Sequence, residues 1–236
     1  MVMLLVFIAA GRAQTNNPPG TNGVTEFPDD SALLPGLMVY QKNCVMCHGS
    51  SGDGRGEMGL TVQPRPRDFR KGIFKFRSTP AGFLPRTEDL KHTIRTGLSG
   101  TAMPVFDKLP ERDVRAVIEY IKMFSPRWRK PENFSRPLEI PRPPNWFDDV
   151  DQLKGRVAKG KALFATACAA CHGDDGNGQG PSAALLEDSF GQPCPPSDLR
   201  QPTLRCGREL TDFYRVLATG FDGTPMLSFA EAFTPE

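Results

Sequence analysis

Two cysteines three positions apart, with a histidine directly after the second, occur twice in this chain. The first set is Cys44-Val45-Met46-Cys47-His48, and the second, 124 residues later, is Cys168-Ala169-Ala170-Cys171-His172. That spacing is the attachment signature of a c-type haem: the thiols add to the haem vinyl groups and the histidine sits beneath the iron. A methionine follows each set in a shared context. Gly97-Leu98-Ser99-Gly100-Thr101-Ala102-Met103 returns as Gly220-Phe221-Asp222-Gly223-Thr224-Pro225-Met226, at an offset of 123. A thioether paired with histidine is a recognised axial set for haem iron and raises its potential. Methionine is more often a gap-filler in a core. The repeated Gly-x-x-Gly-Thr-x-Met frame instead marks Met103 and Met226 as distal ligands.

Other chemistries fit less well. Two CxxC pairs could close a four-thiolate zinc site, but a zinc ribbon does not require the histidine that follows both pairs here. The chain holds three histidines, two of them in the motifs. The third, His92, is the rival ligand for the first iron. It lies on a helix whose inward face is set by Leu90 and Ile94, and its counterpart in the second half is Arg215, so it is expected at the surface. The glycine-rich run 49–59 has no Gly-Lys-Ser/Thr and does not open onto a helix, which excludes a phosphate cradle. The basic residues are not interleaved with aromatics in a recognisable module, which argues against nucleic acid. Two cysteines remain, Cys194 and Cys206, separated by 12 positions. In an oxidising compartment that spacing suits a disulfide, worth about 3 kcal/mol on the chain-entropy model.

The elements that must position these residues repeat as well. From Gly36 the chain reads as a helix running into Cys44, and a second helix starting near Asp151 enters Cys168. Thr87-Glu88-Asp89-Leu90 opens a helix with acids in its first turn that ends near Thr96 and leads to the Met103 loop. Its counterpart starts near Thr211. Residues 64–80 form a loop rich in Arg and Phe. There Phe69, Phe74 and Phe76 are candidates for packing on the porphyrin, and Arg65, Arg67 or Arg77 for pairing with its propionates. A further helix, with Val114, Val117, Ile118, Ile121 and Phe124 as its apolar stripe, closes the first half. Residues 126–150 carry six prolines and read as a semi-rigid linker. Within it, Trp128, Phe134 and Trp146 predict that it lies against the domains.

Length and charge set the frame. The 236 residues allow one or two domains, and Gly and Pro at 23 each imply much loop. The net charge of +2 hides a split. Residues 1–130 hold 19 Lys/Arg against 12 Asp/Glu, and residues 131–236 hold 10 against 15, giving +7 and −5. Opposite fields on two lobes can steer docking to different redox partners. Residues 1–13 read as a secretory leader without the usual basic residues ahead of its apolar run. A start placed too far downstream would account for that. The apolar run is too short to span a bilayer. Residues 14–31 read as a mobile tail. Residues 232–236 match the threshold of the first half's closing helix, which then has no counterpart. The expectation is a fragment, or a partner that supplies the cover.

With these features in place, the chain resembles a class I c-type cytochrome, and as a whole a tandem dihaem member of that family. The resemblance implies a mostly α fold of two tandem cytochrome c domains, 32–125 and 151–236, joined by the Pro-rich linker. It implies two covalently bound haem c groups, with Cys44, Cys47, His48 and Met103 serving one and Cys168, Cys171, His172 and Met226 the other. The implied activity is single-electron transfer in a respiratory chain, with both irons filled and no catalytic residue. Partners would be a quinol-oxidising or dehydrogenase complex and a terminal acceptor. The setting would be periplasmic, with the membrane reached only through a partner or a retained leader. The competing class is a dihaem enzyme, of peroxidase or thiosulfate-oxidising type, with one open or labile iron. Leu227 stands after Met226 where Pro104 follows Met103, a departure from the family's pattern.

Overall fold

The computed structural model describes residues 30–141 and 149–232. The expected leader, most of the expected tail, Pro143, Pro144 and Trp146 of the linker, and residues 233–236 lie outside the described residues. Seven α-helices and several short 3-10 turns make up the described chain; its extended pairing is one isolated bridge, between Glu187 and Pro193.

In the first half, α1 (Asp30–Asn43) runs into α2 (Val45–His48). It begins six residues before the expected start and carries Pro35 inside it. A proline that near the start costs one backbone hydrogen bond without ending the helix. α3 (Thr87–Thr96) is started by Asp89, whose carboxylate accepts from the Arg86 amide at 2.8 Å. α4 (Glu111–Met123) buries Val114, Val117, Ile118 and Ile121, the stripe its spacing predicts. α1 and α4 are the most extensively packed pair of helices. They cross where Gly36 meets α4: a Cβ there would stand 2.2 Å from the Ala116 carbonyl oxygen and 2.8 Å from the Tyr120 Cβ. Tyr40, Phe69, Phe74, Leu84, Leu90, Ile94 and Trp128 complete one core with the α4 stripe.

The start of the linker belongs to this core. Trp128 is buried edge-on to Phe74 and Phe134, and the Leu138 amide donates to the Ser78 carbonyl at 2.7 Å.

The second half repeats the frame with less inside it. α5 (Val150–Ala167), capped by the Asp149 carboxylate, leads into α6 (Ala169–His172), and α7 (Leu210–Thr219) corresponds to α3. α5 buries none of its residues. Val157, Gly160 and Leu163 are the counterparts of Leu33, Gly36 and Val39. Val157 and Leu163 are exposed, and a Cβ on Gly160 would meet nothing within 4 Å. Ile94 is buried, whereas its counterpart Leu217 is 40% exposed.

The two halves touch through loops. Residues 186–195, a stretch that carries an insertion relative to the first half, lie against residues 67–75. Phe190 lies under the Arg67 guanidinium at 4.8 Å and the Lys71 ammonium at 4.3 Å, and the Lys71 Nζ donates to the Ser189 carbonyl at 2.8 Å. A cleft of about 740 Å³ opens beside these contacts.

Candidate haem sites

Each CxxCH set is a sharp elbow between two helices. α1 hands over to α2 at Cys44, whose backbone departs from helical geometry, and α5 hands over to α6 at Cys168 in the same way. The His48 amide donates to the Cys44 carbonyl at 2.9 Å, and the His172 amide to the Cys168 carbonyl at 2.9 Å. One short helical turn thus holds both thiols and the histidine, as attachment to a single macrocycle requires. The following loop then folds back under it. The Gly54 amide donates to the His48 carbonyl and the Gly178 amide to the His172 carbonyl. A Cβ on Gly56 would stand 2.4 Å from the Met46 carbonyl oxygen, and one on Gly180 2.5 Å from that of Ala169, so only glycine lets the backbone close over the elbow.

The histidines are held differently. The His48 Nδ1 lies 3.2 Å from the Arg67 carbonyl, which can only accept, so this bond places the proton on Nδ1 and leaves the Nε2 lone pair free. Its ring stacks on Phe69 at 4.4 Å and 17°. Burial pushes the imidazole down to about 4 despite that hydrogen bond, so it is neutral at neutral pH, the form that binds iron. His172 is shifted down for the same reason. The Ser197 carbonyl faces it in the place of Arg67, but the His172 Nδ1 is buried with no bond of ordinary geometry.

The methionines sit in matching turns. The Met103 amide donates to the Thr101 Oγ1 at 3.1 Å and the Met226 amide to the Thr224 Oγ1 at 3.2 Å. The Leu98 amide donates to the Met103 carbonyl and the Phe221 amide to the Met226 carbonyl. The threonine shared by the two motifs therefore shapes the turn that presents the thioether. Met103 and Cys44 border the same core cluster, and Phe69, the ring beneath His48, is a member of it. Cys44, His48 and Met103 are thus drawn to one apolar centre. A macrocycle fits these features: neutral imidazoles, thiols on one turn, a thioether on a rigid loop and an apolar lining.

The zinc alternative does not fit. Among the described residues no three His, Cys, Asp or Glu side chains cluster. Burial also pushes the Cys44 thiol up to about 12 and raises Cys168, which disfavours the thiolates that zinc needs.

Other expectations are corrected. Cys194 and Cys206 are free thiols. Cys194 faces the first half, 3.9 Å from the Lys75 Nζ, while the Cys206 Sγ lies on the Gly207 carbonyl just ahead of α7. Phe69 and Phe74 are in the core, but Phe76 leaves it and meets Phe221 of the second half edge-on at 5.4 Å. Arg77 is engaged by Asp222 at 2.9 Å and is not open to a propionate. His92 is exposed, as its helical phase predicts. The Arg67 carbonyl and the Arg77–Asp222 pair were not visible in the motifs. A signal for the second existed: the two Met loops differ at Leu98-Ser99 against Phe221-Asp222, and these are the residues that reach across.

Comparison with known proteins places both halves. Residues 31–121 match the family described as cytochrome c oxidase, cbb3-type, subunit III, and residues 157–211 match the family described as cytochrome c. The chain is 25% identical over 198 residues to the cbb3-type cytochrome c oxidase subunit CcoP of Azospirillum sp. (strain B510), covering 78% of this chain and 54% of that protein. It is 28% identical over 138 residues to a thiosulfate dehydrogenase of Stutzerimonas stutzeri (strain A1501), covering 58% and 39%. The chain therefore spans about half or less of the length of these curated relatives. Among solved structures it is similar to the Kuenenia stuttgartiensis reducing HAO-like protein complex Kustc0457/Kustc0458. The TM-score is 0.79 at 35% identity, over 85% of this chain and 89% of that one.

Proposed function

We propose, from the premise that the chain belongs to the class I c-type cytochromes as a tandem of two such domains, that it is a dihaem single-electron carrier or the haem subunit of a larger redox complex. Thioether bonds would form at Cys44 and Cys47 and at Cys168 and Cys171. His48 with Met103, and His172 with Met226, would fill the two axial pairs. When bound, the haem iron supplies a reversible one-electron couple that thioether ligation raises.

The observation that carries this reading is the duplicated frame around the ligands. The same glycine amide closes on each histidine carbonyl, and the same threonine hydroxyl fixes each methionine amide. The chain's own contribution is to hold each imidazole neutral, to keep water from its ring and to limit movement of the thioether between oxidation states. With a histidine and a methionine supplied to each iron by the chain, no open position would be left for a substrate.

The support for redox partners comes from relatives that are parts of oxidase and HAO-like assemblies. We place a quinol-oxidising or dehydrogenase complex on one side and a terminal acceptor on the other, in an exported, periplasmic setting. Among the described residues no helix is long and apolar enough to cross a membrane.

The similarity to a thiosulfate dehydrogenase favours one rival, a dihaem enzyme with a labile ligand at one iron. Spectroscopic redox titration of the haem-loaded protein separates the two. Two low-spin, methionine-ligated haems that ignore carbon monoxide and peroxide are expected. A high-spin or carbon-monoxide-binding haem would displace the carrier reading and give the enzyme its open site.

A further inference from the structure

The loop that carries Met226 does not rest on its own half alone. Arg77, from the first half, is buried with its side chain fully covered. Its Nη2 donates to the Thr219 carbonyl at 2.7 Å, where α7 ends, and pairs with the Asp222 carboxylate at 2.9 Å, four residues before Met226. Its Nε donates to the Pro80 carbonyl at 3.2 Å and its Nη1 to the Phe74 carbonyl at 3.4 Å, so the guanidinium is tied to its own loop as well as to its target. The Gly82 amide adds a hydrogen bond to Asp222 at 3.1 Å. Phe76 meets Phe221, and a Cβ on Gly223 would stand 2.8 Å from the Ile73 Cγ2. Three consecutive residues of the Met226 loop are therefore gripped from across the interface. In the Met103 loop the corresponding positions are Leu98, Ser99 and Gly100, and a Cβ on Gly100 would meet nothing within 4 Å.

We infer that Arg77 is a positioning residue for the second haem: through Asp222 it sets the Met226 loop, so the ligand strength at the iron of one domain is governed by a side chain of the other. This rests on Met226 being the distal ligand. A planar guanidinium with several donors suits the task, because it can hold a carboxylate and a helix-end carbonyl at once in fixed directions. Removing it leaves Asp222 and the Thr219 carbonyl short of a partner at a covered interface, and the loop relaxes toward solvent. The thioether then competes less well for its iron, which lowers that haem's potential and opens it to exogenous ligands.

The test uses the full, haem-loaded chain with Arg77→Gln, Asp222→Asn and the double variant. Iron-bound methionine is read by the upfield-shifted methyl resonance it gives in the reduced protein, one per haem, with Met226→Ala to assign the second. Two resonances are expected for the wild type. Each single variant should weaken or lose the Met226 signal, make one haem bind carbon monoxide and lower its potential, while the Met103 signal and two haems per chain persist. The double variant should fall short of the sum of the single effects, since both break the same Arg77–Asp222 contact. Arg77→Lys, which keeps the charge but not the planar fork of donors, should weaken the Met226 signal less than Arg77→Gln does. Retention of both signals and of the second haem's potential in Arg77→Gln and Asp222→Asn would overturn the proposal, as would loss of both signals together. A wild type with no Met226 signal would instead remove Met226 as a ligand, and the proposal with it.

Discussion

His48 and His172 end identical short helices, yet only His48 is held by both a carbonyl and a stacked ring. The motifs could not show this, because a backbone acceptor carries no side-chain signature. Covalent attachment, by contrast, demands fixed residue types at fixed spacing, and the cytochrome c families matched in both halves agree with the attachment that the CxxCH spacing implies. Ion pairs lie between these cases. Glu111 accepts from Lys91 at 2.6 Å and Arg95 at 3.1 Å on α3, and from Arg115 at 3.3 Å on its own helix. The Lys91 and Arg95 hydrogen bonds, and then that of Arg115, lower its carboxyl from an ordinary 4.5 to about 2. A group depressed on folding stabilises the fold fully above its unfolded value and loses that contribution as pH falls through its folded value. Denaturant midpoints of Glu111→Gln should therefore lie below wild type at pH 7. The gap should narrow as pH falls below 4.5 and close near 2, and a gap independent of pH would remove the ion pairs as its cause.

At the scale of the element, sequence periodicity located every helix that enters or supports a site, but not how closely two of them approach. Gly36 reads as an ordinary helical glycine, and its reason appears only where α1 crosses α4 at the Ala116 carbonyl. Gly160, its counterpart on α5, has open space around it. The same substitution should then have opposite signs. Gly36→Ala forces an over-packed crossing and should cost about 1–3 kcal/mol. Gly160→Ala relieves the backbone entropy of a helical glycine and should stabilise by about 0.5–1 kcal/mol. Chemical unfolding followed by circular dichroism of both variants checks this, and equal effects would mean that the two helices are equally crowded. The onset of α1 at Asp30, six residues before the expected start, takes in Pro35, which near a helix start costs one backbone hydrogen bond without ending the helix.

For the molecule as a whole, the tandem plan was legible because each half repeats its motifs, while the contact between halves was not. That contact uses residues in which the halves differ, the insertion-bearing stretch 186–195 and Phe221-Asp222, and a search for repeats passes over them. The large buried side chains of the core lie in the first half and its linker, whereas the second half, glycines apart, buries only Ala169, Leu204 and Thr219 among the described residues. Unfolding of the haem-loaded protein should accordingly be biphasic, with the Met226 signal lost before the Met103 signal as denaturant rises. A single coincident transition would show the interface to be strong enough to make one cooperative unit. The loop that bears Arg77 has a further consequence. Asp89 holds it through the Ser78 amide and hydroxyl at 2.9 and 3.0 Å, Arg127 through the Gly72 carbonyl at 2.9 Å, and the Leu138 amide through the Ser78 carbonyl. Those anchors all precede the second half in the chain. The loop that grips Asp222 is therefore held from within the first half and its linker, and these anchors need no residue of the second half. A change in these anchors should therefore disturb the Met226 loop, whereas a change in the Met226 loop should leave them in place.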